Sequence, residues 1–250
     1  MTIIFFIFVE MKNNDEIFDE FQQSLESLRG NFYVLETDVP VERQMEYFHY
    51  SETVRKSLGD DSVENQITAL NDSGATSEQR KYAMTFLAVS GDVKAFRALE
   101  SYSREHQDEK DEWISMALLH AKITLESELS DQRQVFISTG LGGKGHKLRF
   151  FSLFKSNDLK PFSTYQAELI SKEIPFHIHK YDGECEELKI EENYFTVVFL
   201  IDLKTNIKKM LEEMLRECNQ YGDFISKSFI VTNVKKYDRE EILLELQKDE

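Results

Sequence analysis

Cysteine, proline, tryptophan and positive charge are all scarce in this 250-residue chain, and each scarcity narrows what it can be. Cys185 and Cys218 are the only two cysteines, they lie far apart, and Cys218 falls on an apolar helical stripe. That argues against a disulfide framework and for a reducing, cytoplasmic setting. Three prolines and ten glycines are too few for a loop-dominated or disordered chain. Lys and Arg number 30 against 46 Asp and Glu, a net charge of -16. Such a field repels a polyanion unless a basic patch is segregated on one face, so general nucleic-acid binding is not expected.

Long hydrophobic runs are missing too. The apolar stretch in MTIIFFIFVE is too short for a membrane span, and it lacks the positive flank and small-residue cleavage site of a signal peptide. Met11 then opens the polar stretch MKNNDE, so residues 1–10 are expected to be a start-site artefact or a disordered tail, with an added edge strand as the alternative. No membrane partner is expected.

What is present is core material. Nineteen Phe and ten Tyr supply large side chains, and the length suits two domains of ordinary size, expected here over 11–130 and 131–250. In the first, helical periodicity dominates. Ile17, Phe18, Phe21, Leu25 and Leu28 form one stripe, closed by Gly30. A second helix is expected from Pro40 to Leu58, burying Val41, Met45 and Phe48. Val63, Ile67 and Leu70 follow with Asp61 or Ser62 as cap, then Tyr82, Ala83, Phe86 and Leu87 with Ser77 as cap and Gly91 as stop. Ala95, Phe96 and Leu99 mark a short helix, and DEKDEWISMALLHAKITLESEL a longer one, in which core packing is the better reading of Trp113.

Arg80, Ala83, Leu87, Ala88, Gly91, Asp92, Ala95 and Leu99, followed by Asp111, Glu112, Trp113, Ala117 and Leu118, carry a resemblance. This spacing over about residues 60–129 resembles the HEAT-like repeat of the phycocyanobilin-lyase type, departing from it at Trp113. The resemblance implies paired helices brought close by alanines and turned by Gly-Asp. It also implies a protein-interaction or scaffold role on an extended helical surface. It does not imply lyase activity.

Beyond residue 132 the period changes. QVFIST, KLRFFSLF, PFHIHKY, EELKIEE, NYFTVVFLID and SFIVTNVKK are β-branched or aromatic stretches of strand length. Helices are expected in STYQAELISKE, NIKKMLEEMLRECNQYG and DREEILLELQ, the first and last opened by capping boxes. The fold class expected is α+β: an N-terminal antiparallel helical stack, then a domain with a mainly antiparallel sheet.

The chemistry-bearing candidates are few. ISTGLGGKGHKLRF holds four glycines beside Lys144, His146, Lys147 and Arg149. Gly140 and Gly145 have the separation of a phosphate-binding Walker loop, but His146 and Lys147 stand where Lys and Ser or Thr are needed, and a strand follows instead of a helix. A hairpin from QVFIST to KLRFFSLF is the plainer reading. The functional alternative is an anion nest of Gly142, Gly143, Lys144, His146, Lys147 and Arg149. Charge favours it: Arg133, Lys144, Lys147, Arg149, Lys155 and Lys160 face only Asp158, so 133–160 carries +5 and the rest -21.

His177 and His179 would share a strand face near Asp182 and Cys185, yet a second ligand cluster is missing, and no metal is expected. Glu212 and Glu213 are helix neighbours that point apart, and no nucleophile elbow accompanies any of the six His. The expectation is a non-enzymatic interaction or scaffold protein that docks a protein partner on its helical surface and needs no cofactor. The alternative is an RNA or nucleotide-phosphate binder, with nucleic acid reaching the chain through loop 140–149 only.

Overall fold

In the computed structural model, helices begin where a side chain can close them. The structure describes residues 3–6, 10–12, 31–34, 36, 39–56, 58–106, 111–129, 134–157 and 159–247. The expected helix of Ile17 to Leu28 lies outside these. Strands β1 (Ile3–Phe6) and β2 (Glu10–Lys12) stand where a tail was the first expectation, so the extended alternative is the one adopted. Strand β3 (Asn31–Val34) precedes the helices.

Helix α1 (Val41–Lys56) starts after Pro40, whose carbonyl accepts the Gln44 N–H at 3.0 Å. Its buried face is Gln44, Tyr47, Ser51 and Val54, and Met45 is 60% exposed. This corrects the expected apolar stripe. Two polar side chains go inside because each finds a backbone acceptor: Gln44 Nε2 donates to Val39 O at 2.6 Å, and Ser51 Oγ to Phe48 O at 2.8 Å. Helix α2 (Val63–Asn71) is capped by Ser62. Helix α3 (Ser77–Val89) is capped by Thr76 in a reciprocal box with Gln79, one residue earlier than expected. Helix α4 (Val93–Glu105) is capped by Asp92, and helix α5 (Glu112–Leu129) follows Asp111, whose carboxylate accepts the Trp113 N–H at 2.8 Å. In packing, α2 pairs with α3 and α4 with α5, and the hairpins stack α2 on α4 and α3 on α5. Helix α3 is the centre, with every residue from Ala83 to Val89 buried.

The described residues divide into two compact units, this one over Val39–Phe136 and a second built on Ile137–Glu250. The fold is α+β, helices first and sheet after. Strand β4 (Gln134–Ser138) lies between β1 and β3 in a three-stranded sheet. Strands β5 (Gly143–Lys144) and β6 (Lys147–Ser156) form a short hairpin, pairing Gly143 with Leu148 and Lys144 with Lys147. The hairpin expected from QVFIST to KLRFFSLF is therefore not formed, because β4 and β6 belong to different sheets.

Helix α6 (Thr164–Lys180) runs straight through PFHIHKY, which was expected as a strand. Ile170, Ile174 and Ile178 are fully buried at helical spacing, so the stripe continues past Pro175 and tertiary burial outweighs the missing proline N–H. Strands β7 (Glu184–Ile190) and β8 (Tyr194–Asp202), helix α7 (Ile207–Asn219), strand β9 (Ile225–Thr232) and helix α8 (Arg239–Gln247) complete the chain. The sheet order is β2-β9-β6-β8-β7, antiparallel at every pairing, with β5 attached to β6.

One face of this sheet is a phenylalanine core. Phe154 sits opposite both Phe195 and Phe229, its ring stacked at 4.8 Å on Phe195, and Phe150 sits opposite Phe199. Helix α6 reaches this face through Ile178, close to Ile201 at Gly183. On the other face Phe151, Leu153, Val198 and Ile230 pack with Ile242 and Leu246 of α8.

Candidate functional site

The glycine loop is shaped by close backbone packing. A Cβ on Gly140 would stand 1.8 Å from the Val234 carbonyl oxygen, and one on Gly143 would stand 2.2 Å from that of Lys147. Gly142 and Gly145 take positive φ, 65° and 60°, which L side chains rarely adopt. So each of the four glycines answers a backbone requirement of the fold. The amides are engaged as well: Leu141 N–H donates to Asn233 O at 2.9 Å, Gly142 N–H to Thr139 O at 3.3 Å, and Gly145 N–H to the Glu36 carboxylate at 3.2 Å.

The cations around the loop meet acids from β7 and the turn before it. Lys144 lies 3.7 Å from Glu184, and Lys147 pairs with the Asp182 carboxylate at 3.5 Å and its carbonyl. Arg149 grips Glu186 with two nitrogens, Nη2 at 2.9 Å, and donates Nη1 to Leu141 O at 2.7 Å. The Arg149 guanidinium holds the Glu186 carboxyl below its ordinary range. His146 is exposed at the hairpin tip. The structure thus brings Gly142, Gly143, Lys144, Lys147 and Arg149 together, but with carboxylates already among them.

The His177 and His179 pair does not share a face. On α6, His177 turns inward and is buried, while His179 is exposed, so the shared strand face is not formed. His177 Nε2 lies 3.8 Å from Glu173. Among the described residues no group of three His, Cys, Asp or Glu side chains could hold a metal ion. Burial pushes the Cys218 thiol up to about 12, and Cys185 is raised for the same reason, so neither is a poised thiolate.

A second site emerges on the helical unit. Trp113 is buried at the start of α5, its Nε1–H donating to Thr85 Oγ1 at 3.0 Å, with Tyr47 edge-on at 5.3 Å. Lys81 Nζ sits 4.6 Å over the indole, a cation–π contact. Together with Arg43, Asp111, Glu112 and Met116 these side chains line a cleft of about 240 Å³. Its rim is an ion network: Arg43 meets Glu46 at 2.7 Å and Glu112 at 3.6 Å, and Lys81 meets Glu46 at 3.6 Å.

Beneath the cleft, Tyr47 Oη is 3.3 Å from His120 Nδ1, and Arg55 Nη2 is 3.2 Å from His120 Nε2. Arginine can only donate, so Nε2 is the acceptor, and the proton of neutral His120 resides on Nδ1 and is donated to Tyr47. Burial and the Arg55 charge push His120 down to about 4. Trp113 was visible as a singular residue in the sequence, whereas Arg43 and Tyr47 of α1, Lys81 of α3 and His120 further along α5 carried no local signal.

No helix of the described residues is long and apolar enough to cross a membrane. No protein-family model and no curated protein matches this chain.

Proposed function

We propose that the chain is a non-enzymatic interaction protein whose HEAT-like helical stack docks a protein partner. The observation that carries this reading is the Trp113 cleft. It combines a buried aromatic floor, Trp113 and Tyr47, with a rim of Arg43, Lys81, Asp111 and Glu112. Buried aromatic side chains ringed by polar and charged groups are a composition of interface hot spots. The stacking of α2 on α4 and of α3 on α5 supports the repeat reading, because paired helices in two layers expose one continuous surface.

The phosphate-binding alternative is weakened by the loop's own chemistry. An incoming phosphate must displace Glu184, Asp182 and Glu186 from Lys144, Lys147 and Arg149. The test is affinity capture with the full chain and with an Arg43→Glu, Lys81→Glu double variant, each with and without nuclease. A captured protein that survives nuclease, is lost from the double variant and perturbs Trp113 fluorescence when added back purified supports the reading. Partners lost only on nuclease treatment, or retained equally by the double variant, overturn it.

A further inference from the structure

Helix α1 is thinly anchored for its length. Of its 16 residues, Tyr47 and Val54 are the buried apolar ones, and the other two buried positions are Gln44 and Ser51, which bond to nearby backbone of their own segment. Its charged links to the rest, Arg43 to Glu112 and Glu46 to Lys81, are solvent-facing pairs at 3.6 Å, of a kind that holds little in water. The hairpins α2–α3 and α4–α5 stack on each other without it.

One residue of α5 grips α1 at two places. His120 meets Tyr47 and Arg55, which lie about two helical turns apart on α1. The Arg55 bond exists only for a neutral ring, because Nε2 must accept. A proton on Nε2 sets donor against donor and brings two positive charges into contact. Arg55 is the charge that acts on the ring and Tyr47 the titratable group that touches it, and among the described residues no carboxylate pairs with it. Arg55 is exposed and free to swing aside alone, but that leaves the ring buried beneath Tyr47 and Phe48, whose rings lie 5.8 and 5.7 Å away. A charged imidazole needs water. Lifting α1 removes Arg55 and both rings together and supplies it.

We propose that α1 is a proton-released strap: protonation of His120 frees it from α5 as a local opening, while α2 to α5 stay folded. Tyr47 and Tyr50 of α1 pack edge-on against Trp113 at 5.3 and 5.5 Å, so the opening uncovers the indole. Arg43 and Tyr47 leave with the strap, which dismantles the cleft they line. The opening itself does not depend on what the cleft binds. That acid would discharge a docked protein is a consequence that rests on the function proposed above.

The test is amide hydrogen exchange on the full chain from pH 7 to 4.5, corrected for the intrinsic rate. Opening takes up one proton, so protection of the α1 amides should fall about tenfold per pH unit below about 6.5, until pH nears about 4. At each pH it should lie well below that of Ala83–Val89, which report opening of the whole unit. In His120→Gln the amide oxygen can accept from Arg55 and the amide N–H can donate to Tyr47, and nothing titrates. The α1 slope between pH 6.5 and 5, above the carboxylate range, should therefore vanish in that variant. A slope that persists in His120→Gln overturns the proposal, as does α1 protection that is flat with pH or equal to that of α3. If His120→Gln melts lower at pH 7, the slope of α1 and its gap from α3 in the unaltered chain decide.

Discussion

Both units bury polar side chains, but these meet different neighbours. In the helical unit Gln44, Ser51, Thr85 and His120 are buried among aromatic rings, and each has a hydrogen-bond partner. In the α+β unit one sheet face buries phenylalanine against phenylalanine, charges pair on the surface, and Ser152 Oγ, Ser156 Oγ and His177 Nδ1 are buried without a partner. A satisfied polar core fixes geometry at the cost of sensitivity to protonation. An apolar core ignores protonation and depends on volume.

The strongest way to break this contrast is Phe154→Ala. Removing a fully buried ring from between Phe195 and Phe229 should cost the α+β unit about 4 kcal/mol, read by hydrogen exchange in β6, β8 and β9 under denaturant. A loss below about 1 kcal/mol would show that volume is not what holds this core.

Acid should separate the units next. His120 has its folded value depressed below that of the unfolded chain, so its contribution is whole above about 6.5 and is lost as pH falls toward about 4. The loss is about 3 kcal/mol at most, confined to the helical unit and followed by Trp113 fluorescence. Glu186 and Glu187 are held low by their cation partners, so the α+β unit keeps their contribution until pH drops below the ordinary carboxylate range. His120→Gln should flatten the profile between pH 6.5 and 4. An unchanged slope would remove His120 as its cause.

The smallest effect sharpens the picture inside the α+β unit. Gly140→Ala drives a methyl into the Val234 carbonyl and should cost about 2 kcal/mol, while Gly145→Ala faces open space at positive φ and should cost about 1 kcal/mol. Equal melting temperatures for the two variants would mean that the loop yields where it is drawn tight.

The same contrast explains what could be read from sequence. Helices α2 to α5, the capping boxes at Ser163 and Asp238, and the apolar run of β8 were legible because local pattern and burial agree there. The face of α1 was misread because Gln44 and Ser51 go inside while Met45 stays out, a choice made by distant backbone and packing. PFHIHKY was misread because its aromatic and β-branched residues have the length and spacing of a strand, yet the spacing of Ile170, Ile174 and Ile178 carries the helix on past Pro175. The basic loop was found as composition. Its neutralisation by Asp182, Glu184, Glu186 and Glu36 became visible only once the sheet order placed those acids beside it.

Strand β2 has its partner in β9, Glu10 opposite Thr232. On a ribosome adding about 5–20 residues per second, β9 is made roughly ten to forty seconds after β2. For that interval β2 has no ladder to join, whereas the local contacts of the helical hairpins can form as they emerge. The large sheet is therefore completed last. A stalled or shortened chain that stops before Ile225 leaves β6 without its β9 neighbour and β2 without any, which makes the final strands the checkpoint between a finished protein and a target for quality control.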